Sequence, residues 1–322
     1  MKSLVEAYLN HLGMQAQKPS IEYLCALQKN HIETIPHENL NAAFHLPTSF
    51  DIKHLLKKYT MEMRGGMCFE LNFSYCWLLQ QLGFNAQLVL CNVDAYDLNK
   101  ENNPYPTHPV VAIYFENTKL ITDVGWSDSY RFPLYLDGEI PPLMQQAPFS
   151  EGQLSTINYT DETGTYRVIR ESDFFRQQKL INVDGDAEWH NQFVFTFPQN
   201  VAQNKAISLP RGYLTSHAYT HVAPEYLFSY GNVVKFSRIN STGHHTLWGN
   251  FMLNRDGQKR RKEIIKQSVD KQLQELHVAE ETINLIRDTK HEKRKSMSFF
   301  ETRVQYQNKI NDSKVRDIIT LC

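Results

Sequence analysis

Arg64-Gly65-Gly66-Met67-Cys68-Phe69-Glu70-Leu71-Asn72 sets one cysteine behind a pair of glycines at the start of a helical pattern. Apolar residues follow at helical spacing in Phe69, Phe73, Trp77, Leu78 and Leu82, and Gly83 closes the segment as a C-cap. Cys68 therefore meets the first turn of a helix, where unpaired backbone N–H groups and the positive end of the dipole favour a thiolate. A nucleophilic cysteine also needs a proton acceptor and a group that orients it.

Both occur in one predicted hairpin. The run from Thr107-His108-Pro109-Val110-Val111 to Phe115 is followed by the polar Glu116-Asn117-Thr118 and then by Lys119-Leu120-Ile121-Thr122-Asp123-Val124-Gly125-Trp126. Two β-branched and aromatic runs around a short loop read as antiparallel strands. If Glu116 and Asn117 form the turn, Phe115 faces Thr118 and His108 faces Gly125, so Asp123 shares the face of His108. A register of the other parity puts the two residues on opposite faces. Diagonal neighbours in such a pair lie roughly 7–8 Å apart at the backbone, within reach of a carboxylate and an imidazole. Cys68, His108 and Asp123 then read as nucleophile, general base and orienter.

On these residues the chain resembles the arylamine N-acetyltransferases. That family carries an R-G-G-x-C-x-E-x-N motif, a T-H segment and a D-V-G-aromatic segment. Ile35-Pro36-His37-Glu38-Asn39-Leu40-Asn41 resembles its I-P-x-E-N-L segment, and Arg131 with Pro133-Leu134 also fits. The likeness is dense over residues 1–140 and thins to scattered strand patterns up to about residue 290. It implies a papain-like cysteine triad that moves acetyl from acetyl-CoA, through a thioester on Cys68, to an arylamine, arylhydroxylamine or hydrazine, with a role in xenobiotic metabolism. By motif position, Arg64, Glu38 and Asn41 tie the cysteine loop to the preceding segment as structural support. Acetyl-CoA is then a co-substrate, and no tightly bound cofactor is implied. The sequence departs from the pattern at Ser127, where the family usually has glycine after the aromatic residue. It departs again in Tyr219 to Phe228, where His221 and Val222 replace a Ser-Thr pair that helps to hold CoA.

With 322 residues the chain can bury a large core. Its 34 basic residues nearly cancel 35 acidic ones, and neither a basic face nor a binding motif for nucleic acid is visible. The N-terminus lacks the apolar core of a signal peptide, and no apolar run is long enough to span a bilayer, so the expectation is a soluble, cytoplasmic protein. The five cysteines, Cys25, Cys68, Cys76, Cys91 and Cys322, show no disulfide or CxxC spacing, which fits a reducing compartment. Cys25, Cys76 and Cys91 read as small buried hydrophobes.

Residues 1–85 read as mainly helical, with Ser20 capping a helix through Tyr23, Leu24 and Leu27, and Thr48 or Ser49 preceding another through Ile52, Leu55 and Leu56. From residue 86 the texture becomes β: Ala86 to Cys91, Val110 to Phe115, Leu120 to Val124, Tyr166 to Arg170 and Gln192 to Phe197, with a loop from Asp94 to Pro106. The last expected strands are Asn232 to Arg238 and Thr246 to Leu253, joined by an Asn240 to His245 loop. A turn at Asp256-Gly257 and one charged helix with Val269, Leu273, Leu276, Ile283 and Ile286 as its apolar stripe follow. Together with the resemblance, the expected fold class is α+β. It comprises an N-terminal helical bundle with the nucleophile (1–85), a central antiparallel β-barrel-like domain with His108 and Asp123 (86–210), a C-terminal α/β lid (211–290) and an appended tail (291–322).

Other constellations are weaker. His217 and His221 have the i, i+4 spacing of metal ligands, but position 218 is Ala where the zinc-protease motif has Glu, so no metal site is expected. His244-His245 falls in a predicted turn. No GxGxxG or P-loop is present. The leading reading is an acyltransferase with Phe69 and Trp126 as walls for an aromatic amine. An amide synthase using a carrier-bound acyl chain and a cysteine hydrolase or transglutaminase-like enzyme share the same triad. A binding protein that keeps the fold without turnover is the reading outside enzymology.

Overall fold

The structure, a computed structural model, describes residues 2–93, 108–197 and 234–287, apart from positions 45, 47, 128, 129, 153–155, 184, 185, 241, 242, 250, 257, 258, 265–267 and 276. The 94–106 loop, Leu276, Cys322, the segment with His217, His221 and Val222, and the 291–322 tail lie outside the described residues. The content is mixed helix and sheet. No helix among the described residues is long and apolar enough to cross a membrane.

The first part is helical: α1 Lys2–His11, α2 Ile21–Thr34, the short strand β1 His37–Glu38, α3 Leu40–Phe44, α4 Ile52–Thr60 and α5 Cys68–Gln81. Ser20 caps α2 as its sequence suggests, its hydroxyl accepting from Tyr23 N at 3.1 Å. The cap of α4 is instead Asp51, whose carboxylate accepts from the amides of Lys53 and His54. Ser49 serves that cap indirectly, accepting from Asp51 N at 3.2 Å. Gly83 follows α5 with φ of 91°, and Phe84 N returns to Leu79 O at 3.0 Å, the closure that a positive-φ residue permits.

A nine-stranded antiparallel sheet contains β2 Asn85–Val93, β3 His108–Phe115, β4 Thr118–Thr122, β5 Leu134–Gly138, β6 Phe149–Glu151, β7 Ile157–Asp161, β8 Gly164–Glu171, β9 Phe174–Val183 and β10 Asp186–Phe195. Its order is β5-β4-β3-β2-β10-β9-β8-β7-β6. The expected barrel-like domain is thus an open sheet. It curls far enough for Asp137 on β5 to reach Arg170 on β8 at 3.9 Å, but no ladder joins its edge strands β5 and β6. Strands β5, β6, β7 and β9 are not among the runs that residue patterning singled out, and β9 shows why. Gln177, Gln178 and Lys179 are buried there, so apolar alternation is lost while the ladder to β8 and β10 persists.

A second sheet runs β1-β11-β12-β13-β14, with β11 Lys235–Asn240, β12 Gly243–Trp248, β13 Phe251–Asp256 and β14 Lys259–Ile264. Four expectations are corrected here. Most of the expected Asn240 to His245 loop is ladder: Asn240 pairs with Gly243, and His244 and His245 lie within β12, paired with Ile239 and Arg238. The predicted strand Thr246 to Leu253 is broken at Gly249, whose φ is 56°, into β12 and β13. After Asp256 the chain forms β14, paired with β13 from Phe251↔Ile264 to Asp256↔Lys259; Gly257 of the expected turn lies outside the described residues. Charged side chains suit β14, since an edge strand that carries Lys and Arg resists further pairing. The single charged helix becomes α6, Val269–Glu275, and α7, residues 280–287, separated where His277 takes φ of 62°.

The main apolar cluster joins the helices to the large sheet through Leu9, Leu24, Leu27, Leu71, Leu78, Val110 and Ile121, among others. A second cluster packs Leu40 and Phe44 of α3 against Phe236, Leu247, Leu273, Ile283 and Ile286. Each fully buried side chain of this size contributes about 1.5–3 kcal/mol over its exposed state. The burial lays α5 against β2 and β3, bringing the N-terminus of α5 to the start of the β3–β4 hairpin.

Candidate active site

Cys68 is the first residue of α5 and is partly exposed. The loop before it is held by close backbone packing and buried charge. A Cβ on Gly65 would lie 1.6 Å from Pro36 O, so only glycine lets the two strands of chain approach this closely. Gly66 N donates to Pro36 O at 3.3 Å, and Glu38 N donates to Gly66 O at 2.9 Å. Arg64 Nη2 donates to Glu38 at 2.8 Å and to Asn41 at 2.6 Å. Lys58 Nζ lies 2.8 Å from Glu70 and 3.4 Å from Glu38. Glu70 in turn accepts from Met67 N at 3.0 Å, capping α5. All five side chains of this network are buried. Burial opposes charge on Glu38, but Arg64 and Lys58 outweigh it and hold the carboxyl down to about 2.

His108 opens β3, opposite Cys91 of β2. The hairpin keeps the register set by Phe115↔Thr118 as far as Val111↔Thr122, and its continuation puts Asp123 on the face of His108. The two side chains meet at 2.7 Å, His108 Nε2 to Asp123 Oδ2, and both are buried. Burial disfavours the imidazolium. The charge and hydrogen bond of Asp123, then those of Cys68, outweigh it and raise the imidazole above its ordinary range. His108 Nδ1, the other ring nitrogen, is buried without a nitrogen or oxygen partner among the described residues, consistent with the thiol of Cys68 as its neighbour. The structure thus brings together all three residues that the sequence singles out. The other described cysteines are shielded: burial pushes Cys25 up to about 12 and raises Cys76 and Cys91 as well.

Of the two expected wall residues, Trp126 stands edge-on to His108 with ring centroids 4.9 Å apart, and its Nε1 donates to Gln192 at 3.1 Å. Phe69 is buried beside Cys68. Phe193 of β10, which residue patterning did not single out, packs on the same imidazole at 5.3 Å and on Trp126 at 6.0 Å. Only the crossing of β10 beside β2 brings it there.

Two further polar residues, Asn72 of the quoted motif and Gln28, have no role assigned from sequence. Asn72, one turn after Cys68, donates to Pro109 O at 2.7 Å and to Asp123 Oδ1 at 2.8 Å, and accepts from Val124 N at 3.0 Å. Gly125 N completes the hold on Asp123 Oδ1 at 2.8 Å. Gln28 of α2 accepts from Thr122 Oγ1 at 2.5 Å and donates to Tyr130 O at 2.6 Å, fixing both ends of the loop that carries Asp123. The available signal for Asn72 is its i+4 spacing from Cys68, which puts both on one helix face. Gln28 offers no comparable signal.

The N-acetyltransferase family model matches residues 20–288. Arylamine N-acetyltransferase 2 of Rattus norvegicus is 27% identical over 190 residues, 56% of this chain and 61% of the relative. The arylamine N-acetyltransferase / N-hydroxyarylamine O-acetyltransferase of Salmonella typhimurium is 33% identical over 156 residues, 48% of this chain and 54% of the relative. The chain thus spans between half and two thirds of the length of these curated relatives. The structure of Mycobacterium marinum arylamine N-acetyltransferase in complex with CoA superposes with a TM-score of 0.65 at 18% identity, covering 88% of this chain and 94% of that one. With most of its length inside the family model and the same fold, the chain belongs to the arylamine N-acetyltransferase family.

Proposed function

We propose that the protein transfers an acetyl group from acetyl-CoA, through a thioester on Cys68, to an arylamine, arylhydroxylamine or hydrazine. The observation that carries this reading is the buried His108–Asp123 pair at 2.7 Å, coupled to a cysteine at the N-terminus of α5. Asp123 fixes the ring and favours its charged form, so a proton from Cys68 can rest on His108 and leave a thiolate. The thiolate attacks the thioester carbonyl carbon of the donor. Its C–S bond breaks, and CoA departs as a thiol with the proton from His108. The backbone N–H of Cys68 is a suitable donor to the oxyanion of the tetrahedral intermediate.

In the second half-reaction the amine nitrogen attacks the acyl carbon, the bond to Cys68 sulfur breaks, and His108 takes an amine proton. Trp126, Phe193 and Phe69 supply apolar surface for an aromatic acceptor. In this reading acetyl-CoA is a co-substrate, with a CoA-bound relative in support. Arg64, Glu38 and Asn41 act by holding the loop that presents the thiol. Residues 1–85, 86–210, 211–290 and 291–322 serve in this reading as the nucleophile, histidine–aspartate, lid and tail segments.

The test is peptide mass spectrometry after mixing with acetyl-CoA, which should show an acetyl group on the peptide that carries Cys68. Steady-state rates should then give parallel double-reciprocal lines as donor and arylamine are varied. Intersecting lines, or an enzyme that cleaves peptides and ignores acyl-CoA, would refute the reading.

A further inference from the structure

Two anions compete for one helix end. Cys68 opens α5, and a thiolate there draws on the unpaired N–H groups and the positive dipole of the first turn. Glu70 occupies the same turn, and its carboxylate already takes the N–H of Met67 at 3.0 Å, one peptide unit before the cysteine. A negative charge fixed so near the thiol opposes a second one on sulfur. Glu70 is buried, so solvent and salt do little to screen that opposition.

The balancing charge comes from another helix. Lys58 stands in the last turn of α4 and is buried. Its Nζ donates to Glu70 Oε1 at 2.8 Å and lies 3.4 Å from Glu38 Oε1, the oxygen that Arg64 meets at 2.8 Å. Two buried cations thus face two buried carboxylates, with the partly exposed Glu62 at the rim, 4.0 Å from Arg64. Tyr59 beside them donates its hydroxyl proton to Glu70 O at 3.3 Å, and burial keeps the phenol neutral. On the far side of the thiol, His108 carries the hydrogen bond and charge that act on Cys68, Asp123 stands behind it, and burial keeps Cys91 of β2 as a thiol. Without Lys58 the cluster next to Cys68 would carry a net negative charge that water could not relieve.

We propose that Lys58 is a positioning residue for the nucleophile: by neutralising Glu70 it leaves the positive end of α5 to the sulfur of Cys68, so that a side chain on α4 sets the reactivity of a thiol on α5. The inference rests on the reading of Cys68 as the acyl carrier and deepens it, since the thiolate favoured in this way is the group that attacks the donor. Lys58 makes and breaks no bond in the reaction. Glu70 can cap the helix through any acceptor oxygen, so its charge is not needed for the cap, and once present it has to be balanced. A mere brace between α4 and α5 would serve with any well-packed pair, whereas this role depends on the sign of the charge left behind when one partner is removed.

The experiment is a charge cycle read by the rate of Cys68 labelling with iodoacetamide, an uncharged reagent, as a function of pH. Lys58→Met should displace the rate–pH profile about one pH unit toward alkali, a tenfold slower labelling on its acid side. Glu70→Gln, which keeps an oxygen for Met67 N, should displace it in the opposite direction. The double variant Lys58→Met with Glu70→Gln should return labelling to within about twofold of wild type, and Lys58→Arg, which keeps the charge, to within about threefold. Single replacements that move the profile the same way, or a double variant as displaced as either single one, would overturn the proposal, because a brace behaves so. Lys58→Met strands a buried carboxylate and is the variant at risk of not folding; Glu70→Gln against the double variant then decides, and identical profiles for these two would overturn the proposal. Labelling needs no acetyl-CoA. A wild-type protein that labels at Cys68 and never forms the acetyl adduct would refute the acyl-transfer reading, whereas unshifted profiles would refute the role of Lys58.

Discussion

Replacing Asn72 with alanine should damage stability and chemistry together. The side chain makes three buried hydrogen bonds, to Pro109 O, Asp123 Oδ1 and from Val124 N. Truncation strands a carbonyl, an amide N–H and one side of a carboxylate away from water. At about 1 kcal/mol for each neutral group and about 2 kcal/mol for the charged one, the loss is about 4 kcal/mol. A domain typically has about 5–15 kcal/mol in total, so the variant should fold but melt about 10 °C lower. Asp123 then loses a constraint on its Oδ1 side and keeps Gly125 N, so acetylation of Cys68 should slow by one to two orders of magnitude, about 1.4 kcal/mol for each factor of ten. Asn72→Asp keeps the bond from Val124 N but sets a second carboxyl 2.8 Å from Asp123. Like charges at that separation repel and raise one carboxyl of the pair, so this variant should be slower than alanine at neutral pH, where both are charged, and recover in part as falling pH protonates one of them. The assays are calorimetric melting and quenched-flow adduct formation. A melting point within 2 °C of wild type with an unchanged acetylation rate would refute the argument that Asn72 holds Asp123 in place.

Cys68→Ala should abolish adduct formation, while Cys25→Ala, Cys76→Ala and Cys91→Ala retain it; iodoacetamide mapping of the folded protein should find Cys68 first, because the other three are buried. The Glu38 carboxyl is held from an ordinary 4.5 down to about 2, so the stability it confers is complete above pH 4.5 and lost as pH falls toward 2. The loss of roughly 3 kcal/mol in urea titrations over that window should be largely absent in Glu38→Gln. In Gly125→Ala the new methyl would lie 2.7 Å from Cys68 Cα and 2.6 Å from Asn72 Nδ2, so α5 must shift. Adduct formation should drop at least tenfold, about 1.4 kcal/mol of barrier, while a crystal structure or circular dichroism shows the fold retained.

Much of the site is legible from local chemistry. A helix beginning at Cys68 follows from glycines before it and 3.6-residue spacing after it, and the hairpin register follows from a two-residue turn, since Phe115↔Thr118 sets every later pair. That parity alone puts His108 and Asp123 on one face. Where local signals mislead, the cause is also definable. Lys259 to Ile264 are charged enough to suggest a helix, yet pairing with β13 is what satisfies their backbone groups. In β9 the buried Gln177, Gln178 and Lys179 hide a strand from any search for apolar alternation.

What the sequence by itself determined, then, is where the thiol, the imidazole and the carboxylate sit within their own elements, because caps, turns and periodicity act over a few residues. Only the tertiary structure decided which distant groups complete the site. Asn72 reaches across 51 residues to Asp123, Gln28 across 94 to Thr122, Phe193 arrives on a strand paired beside β2, and Lys58 of α4 meets Glu70 of α5. None of these residues announces its partner, because each contact depends on how two separately formed elements pack, and that is settled by burial of the whole apolar core.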